Sequence, residues 1–373
     1  MDSFFRECRL EVQLKKTQRY FTTTELLCVL SEGMRGDFCT ASGEEVPYVL
    51  DRERRGESHM ILNTGSRTDI PAFYSEWFLN RVREGSMMAR NPFFPEQVTR
   101  FQISPDVVDL IAFCTKNPAP MLPHMDVLSP FLQFWFVTIT PYGKEIEPAV
   151  PGKEEVCESF RQISRVVGKR RVGWRYDPIF LSEKYTKEFH LEAFERFAAL
   201  LDGYTEQVVI SFIDLYEKTK RNFPEAREVK AEDRRILGKE MAGIAARHHM
   251  QIYTCLEGTN LKPYGVNTSG CMTKEVLEHA IGEELRVPSG LSPAREGCRC
   301  LLGSDIGAYN TCRHFCRYCY ANYDRDSVLR NSKLHDPDSP LLVGNLQPGD
   351  QIREAKQVRY RTGQMLLQFY SRT

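Results

Sequence analysis

The sequence predicts an α/β fold, specifically a TIM-like (β/α) barrel, on three observations. From Met60 onward short apolar runs alternate with helical patterns, the alternation expected of βα units on a mostly parallel sheet. Eight strand candidates fall within about 270 residues, the size of a (β/α)8 barrel. No long helical stretch, all-β stretch, internal repeat or low-complexity tract competes with that pattern.

The elements follow in order. The first 58 residues lack clear periodicity and end in the charged run DRERRGESH, so they read as a poorly ordered extension outside the main fold. Strands are expected at Met60 to Thr64, Arg100 to Ile103, Leu110 to Cys114, Phe134 to Thr140, Val172 to Tyr176, Val208 to Phe212 and Gln251 to Cys255, with a last one through Ser304 to Tyr309. Between them, apolar residues at three- and four-residue steps mark helices. Val156, Phe160, Ile163 and Val167 form one face, stopped by Gly168; Phe194, Phe197 and Leu201 form another, stopped by Gly203; Leu237, Met241, Ile244 and Ala245 form a third. The expected organisation is an extension (1–58), a barrel body (59–256), a cysteine-rich segment completing the barrel (257–330) and a C-terminal tail (331–373).

Composition narrows the function. The 50 Lys and Arg balance the 50 Asp and Glu, which argues against a protein that coats nucleic acid, since phosphate binding needs a basic surplus. A hydrophobic fraction of 42% suits a chain with a real core. The longest apolar runs, such as Phe131 to Ile139, fall short of a bilayer span, and MDSFFRECRLEV lacks the apolar stretch of a secretory signal. The expectation is a cytoplasmic protein with no membrane partner.

In a barrel of this type the chemistry sits at the carboxyl ends of the strands. The residues there are polar: Ser66, Arg67, Thr68 and Asp69 after the first strand; Thr115, Lys116 and Asn117 after the third; Arg175, Tyr176 and Asp177 at the end of the fifth; then Asp214 and Glu257. Arg67, Lys116 and Arg175 are candidate anchors for an anionic substrate group. Asp69, Asn117 and Asp177 are candidates for binding polar atoms or orienting those cations. Asp69 before Ile70-Pro71 and Asp177 before Pro178 also suit ordinary turn or cap positions.

Of twelve cysteines, seven (Cys255, Cys271, Cys298, Cys300, Cys312, Cys316, Cys319) lie within residues 255–319, where an even spread would put about two. Cys8, Cys28, Cys39, Cys114 and Cys157 stand alone and read as ordinary thiols. In TCRHFCRYCYAN, Cys312, Cys316 and Cys319 form C-x3-C-x2-C. Three thiolates on such a short loop can hold three irons of a 4Fe–4S cubane, leaving the fourth iron open, whereas structural zinc wants four ligands in paired clips. His314 lies inside the motif, which is complete without it, and is expected to face solvent.

This motif, with Tyr318 in its aromatic place, resembles the radical S-adenosylmethionine superfamily. The resemblance implies that the open iron binds S-adenosylmethionine, that the cofactor is cleaved to a 5′-deoxyadenosyl radical which abstracts hydrogen from substrate, that Tyr318 lies against the adenine region, and that a donor such as flavodoxin or ferredoxin supplies the electron. CRYCYAN is also similar to the spore photoproduct lyase group, which repairs DNA. The superfamily carries its motif after the first barrel strand; here it lies near the carboxyl end, so the resemblance implies a circularly permuted barrel with Ser304 to Tyr309 as the usual first strand. With NTGSRTDIPAFYSEW, FCTKNPAP, TITPYGKEIEP, WRYDPI and SDIGAYNTC, the chain resembles the bacterial family called domain of unknown function 1848 over roughly Met60 to Tyr323.

Cys255, Cys271, Cys298 and Cys300 number as many as the ligands of a closed site: an auxiliary 4Fe–4S cluster, a structural zinc, or, in the plain reading, unrelated thiols with one redox-active pair. Arg161, Arg165, Lys169, Arg170 and Arg171 could form a basic stripe for a phosphate backbone, but a solvated helix face is the expectation. The leading function is a radical S-adenosylmethionine-type enzyme of unknown substrate. The alternatives are a DNA repair lyase of the photoproduct type, with nucleic acid not favoured as partner, and a non-catalytic zinc or electron-transfer module.

Overall fold

The computed structural model describes residues 10–14, 17–21, 60–258, 260–287, 297–301 and 305–366. Cys8, Cys28, Cys39, the charged run before Met60 and Ser304 lie outside the described residues. The chain divides into two units, Met1–Glu57 and Ser58–Thr373. In the first, β1 (Leu10–Leu14) and β2 (Thr17–Phe21) pair antiparallel, with Leu10 opposite Phe21.

Along the second unit run β3 (Met60–Asn63), β4 (Ser86–Arg90), β5 (Gln97–Gln102), β6 (Val108–Thr115), β7 (Gln133–Thr138), β8 (Val172–Ile179), β9 (Gln207–Phe212) and β10 (Gln251–Thr254). They are followed by β11 (Glu283–Leu285), β12 (Gln351–Glu354) and β13 (Arg361–Met365). The central sheet has six strands, in the order β10-β9-β8-β7-β6-β3, and every pairing is parallel. That order follows the chain in one direction, without the reversal that makes a doubly wound sheet. Beyond its two edges, isolated parallel bridges join Asn63 to Asp305 and Tyr253 to Asn267.

These strands read as continuous apolar runs because helices or loops cover both faces. In β9 every residue of QVVISF is buried. Alternate side chains go to opposite layers: Leu62, Ile111, Phe113, Trp135 and Val137 to one, Ile61, Leu110, Ala112, Phe134 and Phe136 to the other.

The helices are α1 (Ile70–Phe73), α2 (Ser75–Glu84), α3 (Lys153–Val167), α4 (Lys187–Leu201), α5 (Glu217–Asn222), α6 (Ala231–Arg247), α7 (Lys274–Ile281) and α8 (Arg325–Lys333). The three helical faces read from sequence are α3, α4 and α6. They pack on the first layer, where Trp174 stacks on Phe194 at 4.6 Å. Helix α7 covers the second layer, together with Cys271, Met272 and Tyr360. Gly168 ends α3 with a positive φ of 91°, a conformation glycine adopts without steric cost.

The strand expected at Arg100–Ile103 does not join the parallel sheet. Arg100 to Gln102 belong to β5, which pairs antiparallel with β4 and parallel with β12 in a separate three-stranded sheet. Within β5 only Val98 and Phe101 are buried, on opposite faces and in different apolar clusters, which suits that peripheral position. Of the Ser304–Tyr309 candidate, the described residues contribute the single bridge at Asp305. Helix α8 runs across residue 330, and the described part of the 331–373 stretch holds its end together with β12 and β13, the last paired with β11.

Candidate functional site

The loop bearing Cys312, Cys316 and Cys319 is braced from within and below. Asn310 N–H donates to Ala321 O at 3.1 Å and Cys319 N–H to Cys316 O at 3.1 Å, while Asn322 Nδ2 donates to Cys312 O at 2.8 Å. Asn310 and Phe315 take left-handed φ values of 57° and 56°, uncommon for side-chain-bearing residues.

Four strand ends hold this loop. After β3, Tyr74 and Tyr320 link the two segments: Tyr74 Oη donates to Thr311 O at 2.7 Å and Tyr320 Oη to Ser66 O at 2.6 Å. After β7, Ala149 N–H donates to His314 O at 3.2 Å, and Ile146 O accepts from Arg317 N–H at 3.0 Å. After β9, Thr219 Oγ1 donates to Tyr318 O at 3.3 Å. After β6 comes Lys116, whose charge acts on Cys316 and Cys319.

His314 does not face solvent: it is 1% exposed. Its Nε2 lies 2.9 Å from Asp69 Oδ2, and its ring packs on Phe73 at 4.5 Å between centroids. The apolar surface of Phe73 and a buried carboxylate give the imidazole a place that motif spacing alone does not reveal. Asp69 also caps α1, accepting from Ala72 N–H at 3.0 Å, and accepts from Lys116 N–H at 2.7 Å. It therefore ties the ends of β3 and β6 to the cysteine loop.

A second buried knot surrounds Glu147, which is 1% exposed. Its carboxylate accepts from Lys116 Nζ at 2.8 Å and Thr140 Oγ1 at 2.7 Å, and also from Lys153 Nζ and Tyr318 Oη. Burial alone would push this carboxyl up, but the two lysines overturn it and hold it at about 2. Lys116 is raised, with the carboxylate outweighing its burial; Lys153 is lowered, because burial outweighs its share of the same carboxylate. Tyr318 thus has its hydroxyl on Glu147 and its ring 5.5 Å from Lys116 Nζ.

The three cation anchors read from sequence are each already paired. Arg67 meets Asp305 at 3.2 Å and Lys116 meets Glu147 at 2.8 Å, while Arg175 meets Asp177. Asn117 is a turn residue: its N–H donates to Thr115 Oγ1 at 2.9 Å and its Oδ1 accepts from Ala119 N–H at 3.2 Å. In the basic stretch, Arg161 and Arg165 pair with Glu158, and Lys169 and Arg170 with Glu206, as a solvated face does. Sequence reasoning missed Glu147, Lys153 and Asp305, since nothing in their spacing marks them as partners.

Burial first, then the neighbouring thiols, raise Cys312, so the free loop resists ionising. Bound cationic metal reverses that preference by taking the thiolates as ligands. Two buried polar atoms beside the loop, Asn322 Oδ1 and Thr68 Oγ1, have no hydrogen-bond partner among the described residues, a deficit that a bound group or water would meet. Among the described residues no three His, Cys, Asp or Glu side chains are set to hold a single metal ion. A cubane makes a different demand, because each cysteine binds its own iron.

The second cysteine group also gathers. Cys271 Sγ is 3.4 Å from Cys300 Sγ and 3.8 Å from Arg175 Nη1. Cys255 is in hydrogen-bond contact with Cys271, and Cys298 acts electrostatically on Cys300. Met272 N–H donates to Cys300 Sγ at 3.4 Å.

No helix among the described residues is long and apolar enough to cross a membrane. No curated protein matches the chain. Two solved structures, cysteine variants of spore photoproduct lyase, are similar to it. The Cys→Ala variant shares 14% identity at a TM-score of 0.31, covering 39% of this chain and 50% of that one. The Cys→Ser variant shares 15% at 0.32, covering 40% and 51%, so the chain spans about half the length of each. The family described as Domain of unknown function (DUF1848) matches residues 61–321, more than half of the sequence, and the chain belongs to that family.

Proposed function

We propose that this chain is a radical S-adenosylmethionine-type enzyme in which Cys312, Cys316 and Cys319 hold a 4Fe–4S cluster. The observation that carries the reading is the C-x3-C-x2-C loop braced across the ends of β3, β6, β7 and β9. When bound, the cluster would supply an electron and an open iron for S-adenosylmethionine, giving a 5′-deoxyadenosyl radical that takes hydrogen from the substrate. The chain's own residues do the rest. Asp69 and His314 fix the loop to β3 and β6, the Glu147 knot holds Tyr318 and Lys116 beside the thiols, and the packed layers exclude water. Arg67, Arg175 and Asp177 belong to the same rim and would orient substrate through their paired charges.

The same reading extends to the fold and the setting. A six-stranded parallel sheet running in one direction, with bridges beyond both edges, supports a TIM-like barrel, permuted so that the segment at Asp305 serves as the first strand. We assign a cytoplasmic setting and an electron donor of the flavodoxin or ferredoxin kind. Cys255, Cys271, Cys298 and Cys300 form a second metal site, a further cluster or zinc.

The test is anaerobic reconstitution followed by S-adenosylmethionine and dithionite, which should yield 5′-deoxyadenosine. Cys316→Ala should abolish it, and an intact cluster with no product overturns the proposal. About eight irons per chain would mark the second site as a cluster, and about four with one zinc as a zinc site.

A further inference from the structure

A cavity of about 540 Å³ opens beside the cysteine loop, between the β4–β5 hairpin, the segment Ile306–Asn310, α5 and the stretch Leu341–Val343. That volume is within the range of small-molecule sites. Its charge is unbalanced. Three cations line it, Arg67, Arg90 and Lys218, and no Asp or Glu does. Two of the three are neutralised from outside the lining: Arg67 by Asp305 at 3.2 Å and Arg90 by Asp350 at 2.6 Å. Lys218 has no carboxylate within ion-pair distance among the described residues. Its ammonium stands 4.6 Å from the centroid of the Tyr309 ring, and its charge also reaches Cys319.

The rest of the lining specifies what accompanies the anion. Tyr309 and Phe93 offer ring faces, and Phe93 is 81% exposed at the mouth. Met88, Ile306 and Leu341 make an apolar wall. One unpaired ammonium suits one negative charge, whereas a phosphate dianion would call for more donors.

We propose that this cavity binds a small aromatic carboxylate, its carboxylate on Lys218 and its ring against Tyr309 and Phe93, and that such a molecule is the substrate class of the cysteine-loop centre. The binding site stands on the cavity itself; only its identification as a substrate site rests on the radical-enzyme reading. Tyr309 and Asn310 line the cavity and lead directly into Cys312, so a ligand anchored there lies beside the cysteine loop.

Two probes of matched shape test it on the full-length protein: naphthalene-2-carboxylate and naphthalene-2-carboxamide, titrated by ligand-observed NMR with and without reconstituted iron. The carboxylate should bind at least tenfold more tightly than the amide. Lys218→Ala should remove that preference, Lys218→Arg should restore most of it, and Phe93→Ala should weaken both probes alike. Equal binding of the two probes, or a preference that survives Lys218→Ala, overturns the site. Failure of the two readings is separable: 5′-deoxyadenosine without carboxylate preference removes this inference alone, and carboxylate preference without 5′-deoxyadenosine removes the radical reading and its substrate assignment while the anion site stands.

Discussion

Replacing Glu147 with Gln tests the knot beneath the cysteine loop. The side chain is fully buried, while its lysine partners Lys116 and Lys153 are 14% and 16% exposed. Glutamine keeps the shape and an acceptor for Thr140 and Tyr318, but leaves two ammonium groups facing a neutral amide. A carboxyl moved from 4.5 to about 2 stabilises the folded state by about 3 kcal/mol. The cost of breaking a buried pair from one side, about 3–5 kcal/mol, agrees with that figure. The folded value is below the unfolded one, so this contribution is complete above about pH 5. It declines as pH falls toward 2, and at pH 3 about 1 kcal/mol remains. Urea unfolding of metal-free wild type and Glu147→Gln should therefore differ by about 3 kcal/mol at pH 7 and by markedly less at pH 3. Equal stability at pH 7, or a gap indifferent to pH, would refute the reasoning.

Three further outcomes are expected. A Cβ on Gly173 would sit 2.4 Å from Phe136 Cε1, inside the sheet, so Gly173→Ala should cost about 1–3 kcal/mol in chemical unfolding. His314→Ala removes a contact of the buried Asp69, and should cost about 1–3 kcal/mol while speeding hydrogen exchange at residues 310–323 and leaving the sheet's circular dichroism intact. Burial pushes Asp109 up to about 6 from 3.8, so wild type should lose up to about 3 kcal/mol as pH rises from 4 past 6. Asp109→Asn, which keeps an acceptor for Tyr360 N–H at 2.7 Å, should not show that loss, and parallel stability curves for the two proteins would count against the assignment.

The parallel strands were readable because burial on both faces writes itself as unbroken apolar text, as in QFWFVT of β7. Helices α3, α4 and α6 were readable from their apolar faces. The misassigned strand at Arg100–Ile103 shows the limit: an apolar run signals a strand, not the sheet it joins. At the site, Arg67, Lys116 and Arg175 stood out as polar residues after strands, yet their paired states did not. Asp305 is 238 positions from Arg67, and no local spacing connects them. His314 was missed for the same reason, since its burial depends on Phe73 and Asp69, which reach it only through the fold. Lys218 gave no signal at all, because its significance is the lack of a carboxylate partner among the described residues, which only three-dimensional neighbours define.

The pairing of β12 with β5 sets an order of events during synthesis. Gln97 lies opposite Gln351, and Arg100 reaches Glu354 across 254 positions. While the chain emerges from its amino end, β5 has only β4 beside it, and its other edge stays open until β12 has been made. An unpaired edge is a template for wrong partners. That edge of the hairpin therefore needs shielding in the nascent protein, and closing so long a loop makes its pairing a late step in folding.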